Sequence, residues 1–146
     1  MKAQRGFTLV EILIVVVILG ILAAIVIPQF TEASTEAKLS SVCSDLQTIR
    51  SQIELYKVQH NDAMPGTVSG VTFIQAMTMK TTLAGALDTS GDYGPYLQQM
   101  PKNPFNDLNT VETEAVDTGL GGGNAGWHFN TATGNFRADD DAHTTY

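Results

Sequence analysis

From residue 7 to residue 27 the chain is apolar at every position except Thr8, Glu11 and Gly20, and Glu11 is its only ionisable group there. As a helix this stretch spans about 31 Å, the thickness of a bilayer core. Beyond Pro28 the pattern changes. Leu39, Val42, Leu46, Ile49, Ile53 and Tyr56 recur at alternating spacings of 3 and 4, with Ser, Asp, Gln, Arg and Lys between them, which is one apolar stripe on a helix with a wet opposite face. The two patterns together predict one helix from about residue 7 to about residue 59, roughly 80 Å long. Its first half needs lipid or other chains around it, and its second half needs only a domain on one side. Pro28 cannot donate to the Ala24 carbonyl and its ring crowds that turn, so a kink or local unwinding is predicted there. Gly20 is a second weak helix former, which makes residues 20–28 the softest part of the rod.

Asn61-Asp62-Ala63-Met64-Pro65-Gly66 stops the helix, with Asn61 in a capping position. Val71, Ile74 and Met77 repeat every third residue and predict a short helix over residues 71–79, following Ser69. Residues 81–94 read as loop. Pro95, Pro101 and Pro104 make residues 94–105 irregular or edge-like extended chain. Residues 106–126 read as a long polar connection ending in Gly119-Leu120-Gly121-Gly122-Gly123-Asn124-Ala125-Gly126. That run lacks the Gly-Lys-Ser/Thr ending of a phosphate loop and no helical pattern follows it, so it reads as a flexible loop. Trp127–Asn130, a turn over residues 131–134 and Asn135-Phe136-Arg137 form a predicted β-hairpin, with Trp127 and Phe129 directed at the long helix. The last residues, 138–146, read as an acidic, solvated and loosely held tail. The fold class is α+β: a long N-terminal helix packed by a small head with a short antiparallel sheet.

Charge adds a direction. The 146 residues carry 8 Lys and Arg against 15 Asp and Glu. Lys2 and Arg5 precede the apolar run, whereas acidic residues crowd the last third, so the positive-inside rule places residues 1–6 in the cytoplasm and the bulk across the membrane. Nothing resembles a nucleic-acid footprint. The single cysteine, Cys43, excludes an intrachain disulfide and reads as a small packed residue beside Val42 and Leu46, with an interchain disulfide as the alternative. His60, His128 and His143 are scattered, two of them in surface-like contexts, with no zinc spacing. No nucleophile has an identifiable base, so no catalytic residue is assigned. Asp139-Asp140-Asp141 with Asn106 and Asp107 supply hard oxygens, but no calcium-loop spacing.

A secretory signal peptide would be cut near Ala23-Ala24, but its apolar region is normally about 7–15 residues; an ordinary single-pass anchor accounts for the length and the flanking charges but not for Glu11. A charge inside a membrane-length helix costs about 2.5–3.5 kcal/mol at the helix centre and less nearer an interface, which implies a partner.

With Gly6-Phe7-Thr8-Leu9-Val10-Glu11 and the helix behind it in view, the N-terminus resembles the class III signal peptides of type IV pilins and type II secretion pseudopilins. The resemblance implies cleavage after Gly6 by a prepilin peptidase, N-methylation of Phe7 and retention of the apolar helix. It also implies pairing of Glu11 with the new Phe7 amine of a neighbouring subunit, in competition with the chain's own amine. Residues around Gly20 and Pro28 are expected to lose helicity in the filament. Leu55-Tyr56-Lys57, Pro65-Gly66, Tyr96-Leu97, Met100-Pro101-Lys102-Asn103-Pro104-Phe105 and Gly126-Trp127 are similar to the major pseudopilin of type II secretion, although the 106–126 loop is longer.

The implied organisation is a leader (1–6), a transmembrane and filament-core half-helix (7–29), an amphipathic half (30–60) and a globular head (61–146). The implied partners are like subunits, the peptidase, an inner-membrane assembly platform, minor pseudopilins or pilins, and lipid before assembly; the head is periplasmic, or extracellular in a surface filament. The family further implies a structural calcium ion, while no cofactor is required by the residues themselves. A type IV pilin of an extracellular filament is the second reading, and a membrane-anchored periplasmic binding module a third.

Overall fold

The computed structural model describes residues 6–146. Lys2, Arg5 and the rest of residues 1–5, and so most of the expected leader, lie outside the described residues. Five elements follow in order: α1 (Leu9–Gln59), α2 (Phe73–Thr78), β1 (Val111–Glu114), β2 (Trp127–Asn130) and β3 (Phe136–Ala138). The chain divides into a unit that ends at Ala37 and a second unit, Lys38–Tyr146.

In the first unit, α1 begins at Leu9 and remains helical through Gly20 and Pro28. Every described residue of this unit is exposed. Past Pro28 the hydroxyl of Thr31 donates to the Ile27 carbonyl at 3.2 Å and that of Thr35 to the Thr31 carbonyl at 3.0 Å.

In the second unit, the 3-4 spaced stripe of α1 is the floor of the core. Val42, Leu46, Ile49, Ile53 and Tyr56 are all buried there. They join Phe73, Ala76 and Met77 of α2, Met100, and Trp127, Phe129, Phe136 and Ala138 of the sheet in one cluster. The large side chains are aromatic, and Phe73 packs on Phe129 and Phe136 with ring centroids 4.7 and 5.4 Å apart. Arg50 holds the sheet to the helix through polar contacts: Nε and Nη2 both donate to the Phe136 carbonyl, at 3.0 and 2.8 Å.

Helix α1 ends as the sequence predicts. Asn61 and Asp62 adopt left-handed φ values of 54° and 64°, and the Asp62 N–H returns to the Lys57 carbonyl at 2.8 Å, so the last turn is closed by its own backbone. The short helix starts later than its apolar spacing suggests, because Thr72 and Gln75 form a reciprocal capping box: the Gln75 N–H donates to Thr72 Oγ1 at 3.2 Å and the Thr72 N–H to Gln75 Oε1 at 2.9 Å.

The hairpin pairs Trp127 with Ala138 and Phe129 with Phe136, antiparallel. Its turn is set by Asn130, whose Oδ1 accepts from the N–H groups of Ala132 and Thr133 at 2.9 and 3.0 Å, and by Gly134 at φ 78°. The sheet is mixed, because a third strand, β1, lies parallel to β2 with Val111 opposite Trp127 and Glu114 opposite Asn130. It falls inside the stretch read as polar connection. Val-Glu-Thr-Glu is short and half acidic, and takes extended form through pairing with β2 rather than through its own propensity. Gly126 lets the chain enter β2, since a Cβ there would overlap the Leu108 carbonyl.

The solvated tail is corrected. Asp139 and Asp140 are buried, at 0% and 8% exposure. The Asp139 carboxylate accepts the N–H of Gly121 at 2.6 Å and of Ala125 at 3.2 Å, and its own N–H donates to the Gly126 carbonyl at 3.1 Å. Burying the charge is tolerable because amide donors of the glycine-rich loop replace water. Two of the three histidines are expected at the surface, but His60 and His128 are buried. Against the His60 ring, stacked on Tyr56 at 3.8 Å, stand the Tyr56 carbonyl at Nδ1 (2.9 Å) and the Thr81 hydroxyl at Nε2 (3.0 Å). A carbonyl only accepts, so Nδ1 carries a hydrogen. Cys43 is exposed rather than packed, because one residue past Val42 is about 100° further round the helix.

Asp139→Asn leaves one acceptor for two loop N–H groups and is expected to cost about 1.5–3 kcal/mol. Melting of the full chain in detergent, followed by circular dichroism, is expected to show a fall of about 5 °C or more; an unchanged midpoint refutes the clasp.

Candidate assembly site

The site predicted from sequence lies at the start of α1. Gly6, Phe7 and Thr8 precede the helix in non-helical conformation, and Leu9 opens it. Phe7 is 84% exposed. No described atom outside its chain neighbours comes within 4 Å of a Cβ built on Gly6, nor is its φ in the left-handed region, so nothing in the chain's own packing or backbone calls for glycine there. Any need for the missing side chain comes from another molecule. Gly20 is equally open.

Glu11 is not idle in the single chain. Its Oε2 accepts from the Thr8 N–H at 2.8 Å and from the Thr8 hydroxyl at 2.8 Å, and its own N–H donates to Thr8 Oγ1 at 3.3 Å. Thr8 is therefore the N-cap and Glu11 the third helical residue of a capping box, in which each side chain satisfies the other's backbone. The carboxylate also sits at the positive end of the helix macrodipole. Sequence reasoning singled out Glu11 and passed over Thr8, although the Thr-x-x-Glu spacing before an apolar run is itself the signal. The arrangement leaves Oε1 without a hydrogen bond among the described residues, and it holds the carboxylate on Thr8, the residue next to Phe7.

Around this end the surface is continuous hydrocarbon. Phe7, Leu9, Ile12, Leu13, Val16 and Val17 border one open groove. Leu9–Gln59 is one helix that is, by length and composition, apolar enough to cross a membrane.

The calcium expectation concerns the second unit, and its donor set does not fit a cation. Both Asp139 oxygens accept loop N–H groups. Asp140 Oδ2 accepts from Asn103 Nδ2 at 3.1 Å, and its Oδ1 contacts His143 Nδ1. Asn106 turns its Nδ2, a donor, to the Ala125 carbonyl at 2.8 Å, and spends Oδ1 on the Leu108 N–H at 3.1 Å. Asp107 and Asp141 are exposed. Among the described residues no group of three or more His, Cys, Asp or Glu is placed to hold a metal ion.

Comparison with known proteins bears on the same two regions. The family described as the prokaryotic N-terminal methylation motif matches residues 1–27. Over 104 residues the chain is 36% identical to the type II secretion system core protein G of Pseudomonas aeruginosa, covering 71% of this chain and 70% of that protein. The protein of the same name from Klebsiella pneumoniae is 35% identical over 107 residues, 72% of this chain and 71% of the relative. That of Vibrio cholerae is 32% identical over 105 residues, 72% and 68% respectively. No solved structure matches the chain significantly. An N-terminal methylation motif, an all-round apolar half-helix and a small α+β head thus meet in one chain with identity running over two thirds of these relatives: the chain belongs to the type II secretion core protein G family, the major pseudopilins, whose members are structural pilin-like subunits and not enzymes.

Proposed function

We propose that this chain loses residues 1–6 by cleavage after Gly6, is N-methylated on Phe7, and polymerises from the inner membrane into a secretion pseudopilus. The observation that carries the reading is the exposed apolar surface of residues 7–30, interrupted by one carboxylate, Glu11. A surface of that size in water is unstable for a monomer, and only lipid or like helices can cover it. Residues 7–29 form the membrane span and later the filament core, residues 30–60 the amphipathic half of the helix, and residues 61–146 the head. Cytoplasmic residues 1–6 and a periplasmic head follow from the charge on Lys2 and Arg5. Like subunits, a prepilin peptidase, an inner-membrane assembly platform, minor pseudopilins and, before assembly, lipid are the partners this function needs.

Before assembly Glu11 is held by Thr8. Cleavage creates a positive amine on Phe7 at nearly the same depth, and Glu11 of a neighbouring subunit exchanges its Thr8 contacts for that charge. The precursor, with its amine in a peptide bond, has no such partner to offer. Gly20 and Pro28 then mark where α1 gives up helical bonds as subunits pack, since both positions weaken the helix. A surface pilus remains the second reading of the same machinery; the relatives named for secretion favour the pseudopilus. A membrane-anchored binding module that keeps its leader is the lowest alternative.

Three outcomes test this. Glu11→Ala is expected to be processed at the normal rate and to give less than about a tenth of the wild-type filament, the loss corresponding to about 1.4 kcal/mol or more; wild-type yield on sheared-fibre immunoblots removes the pairing. Gly6→Leu is expected to accumulate full-length precursor by mass spectrometry of the N-terminus, and normal processing contradicts cleavage at Gly6. Because the Asp139 and Asp140 carboxylates are already occupied by partners within the head, it is expected to melt at the same temperature with excess calcium and with chelator; a calcium-dependent rise would restore the ion.

A further inference from the structure

Behind the sheet, on the face away from α1, His128 is 1% exposed and its Nε2 has no hydrogen-bond partner. Nε2 lies 3.9 Å from Glu114 Oε2, and Nδ1 lies 3.9 Å from Asp117 Oδ1. Its register partner on β1, Glu112, carries another buried polar atom without a hydrogen-bond partner, Oε2. From β3 the register partner is Arg137, whose Nη1 is 3.9 Å from Asp117 Oδ2. The charged groups around the ring are therefore Glu112 and Glu114 from β1, Asp117 from the β1–β2 connection and Arg137 from β3.

That connection closes over the ring from both ends. Glu114 Oε2 accepts from the Thr118 hydroxyl at 2.7 Å and the Gly119 N–H at 3.1 Å, and Asp117 Oδ1 accepts from Asn130 Nδ2 at 2.7 Å. At the far end Asp139 holds Gly121 and Ala125. A Cβ on Gly119 would stand 2.9 Å from Glu112 Oε1, so the segment rests directly on that carboxylate. A neutral imidazole has one N–H for two flanking carboxylates, and its other nitrogen then faces an oxygen lone pair to lone pair. Only the imidazolium donates at both ends.

We propose that His128 is a proton-operated latch: protonated, it draws Glu114 and Asp117 inward and closes the 115–125 segment over the sheet, and deprotonated it lets the segment loosen. The latch is independent of the filament reading, since all its parts lie in the second unit. The Thr118 hydroxyl first, then the Gly119 N–H, hold the Glu114 carboxyl below its ordinary range, so it stays charged where histidines take up protons. The signs differ for the two groups. An imidazolium bound by carboxylates contributes on the acid side, and its contribution is lost once the ring gives up its proton. Glu114, lowered, contributes above its ordinary pKa and is lost as pH falls through the lowered one. Closure is therefore tighter in mildly acidic than in neutral solution.

Hydrogen exchange of the full chain in detergent micelles, read over residues 115–125 and corrected for intrinsic rates, tests the latch. Protection is expected to be about three- to tenfold greater at about pH 5.5 than at about pH 7.5, the size that two partly screened ion pairs supply. His128→Gln is expected to abolish the difference. Asp117→Asn, which keeps an acceptor for Asn130, is expected to reduce it by half or more and decides the matter alone if His128→Gln does not fold. Equal protection at the two pH values, or a full pH response in Asp117→Asn, overturns the proposal.

Discussion

An apolar helix surface that the chain itself does not cover is the constraint on which everything else depends. Every described residue of the first unit is exposed, and all but a few up to Phe30 are hydrocarbon. At about 25 cal/mol per Å² of apolar area withdrawn from water, a segment of this kind gains far more from lipid or from other helices than any single polar contact supplies. One carboxylate in such a surface needs a local partner at every stage. In the single chain Thr8 provides it through the capping box.

The second half of the same helix meets the opposite condition. From Val42 to Tyr56 its 3-4 stripe is covered by α2 and the inner face of the sheet, with Trp127, Phe129 and Phe136 providing most of the bulk. A small head has little area to bury, so aromatic side chains and the doubly bonded Arg50 make each contact count. The remaining order comes from carboxylates. Asp139, Glu114 and Asp117 accept loop and side-chain N–H and O–H groups and hold the 115–125 segment. At Asp139 these bonds occupy oxygens that the sequence offers to a structural cation.

Much of this was legible before any coordinates. The change from all-round to one-sided apolarity near Pro28 separates the two halves of α1, and every buried α1 residue belongs to the predicted stripe. The hairpin from Trp127 announced itself by its aromatic alternation and Gly134. At the N-terminus, the methylation motif was legible from Gly6, Phe7 and Glu11, while Thr8, which holds Glu11 in the capping box, was in plain view and passed over. β1 was not legible, because four residues with two glutamates become a strand only beside β2. Burial of Asp139 and Asp140 was hidden for the same reason: an acidic run reads as solvated until the amide donors that replace its water are known.

The sequence by itself determined the periodicities, the ends of α1, the hairpin and the one charge in the apolar run, all of which depend on residues within a few positions of one another. Only the tertiary structure decided that the sheet is mixed, that Cys43 faces out, that His128 lies among three carboxylates and that the acidic tail turns inward. Those outcomes hang on pairs far apart in the chain, such as Gly121 with Asp139 and Arg50 with Phe136. The free energy of a buried polar group is set by the partner that replaces water, and no local pattern names that partner.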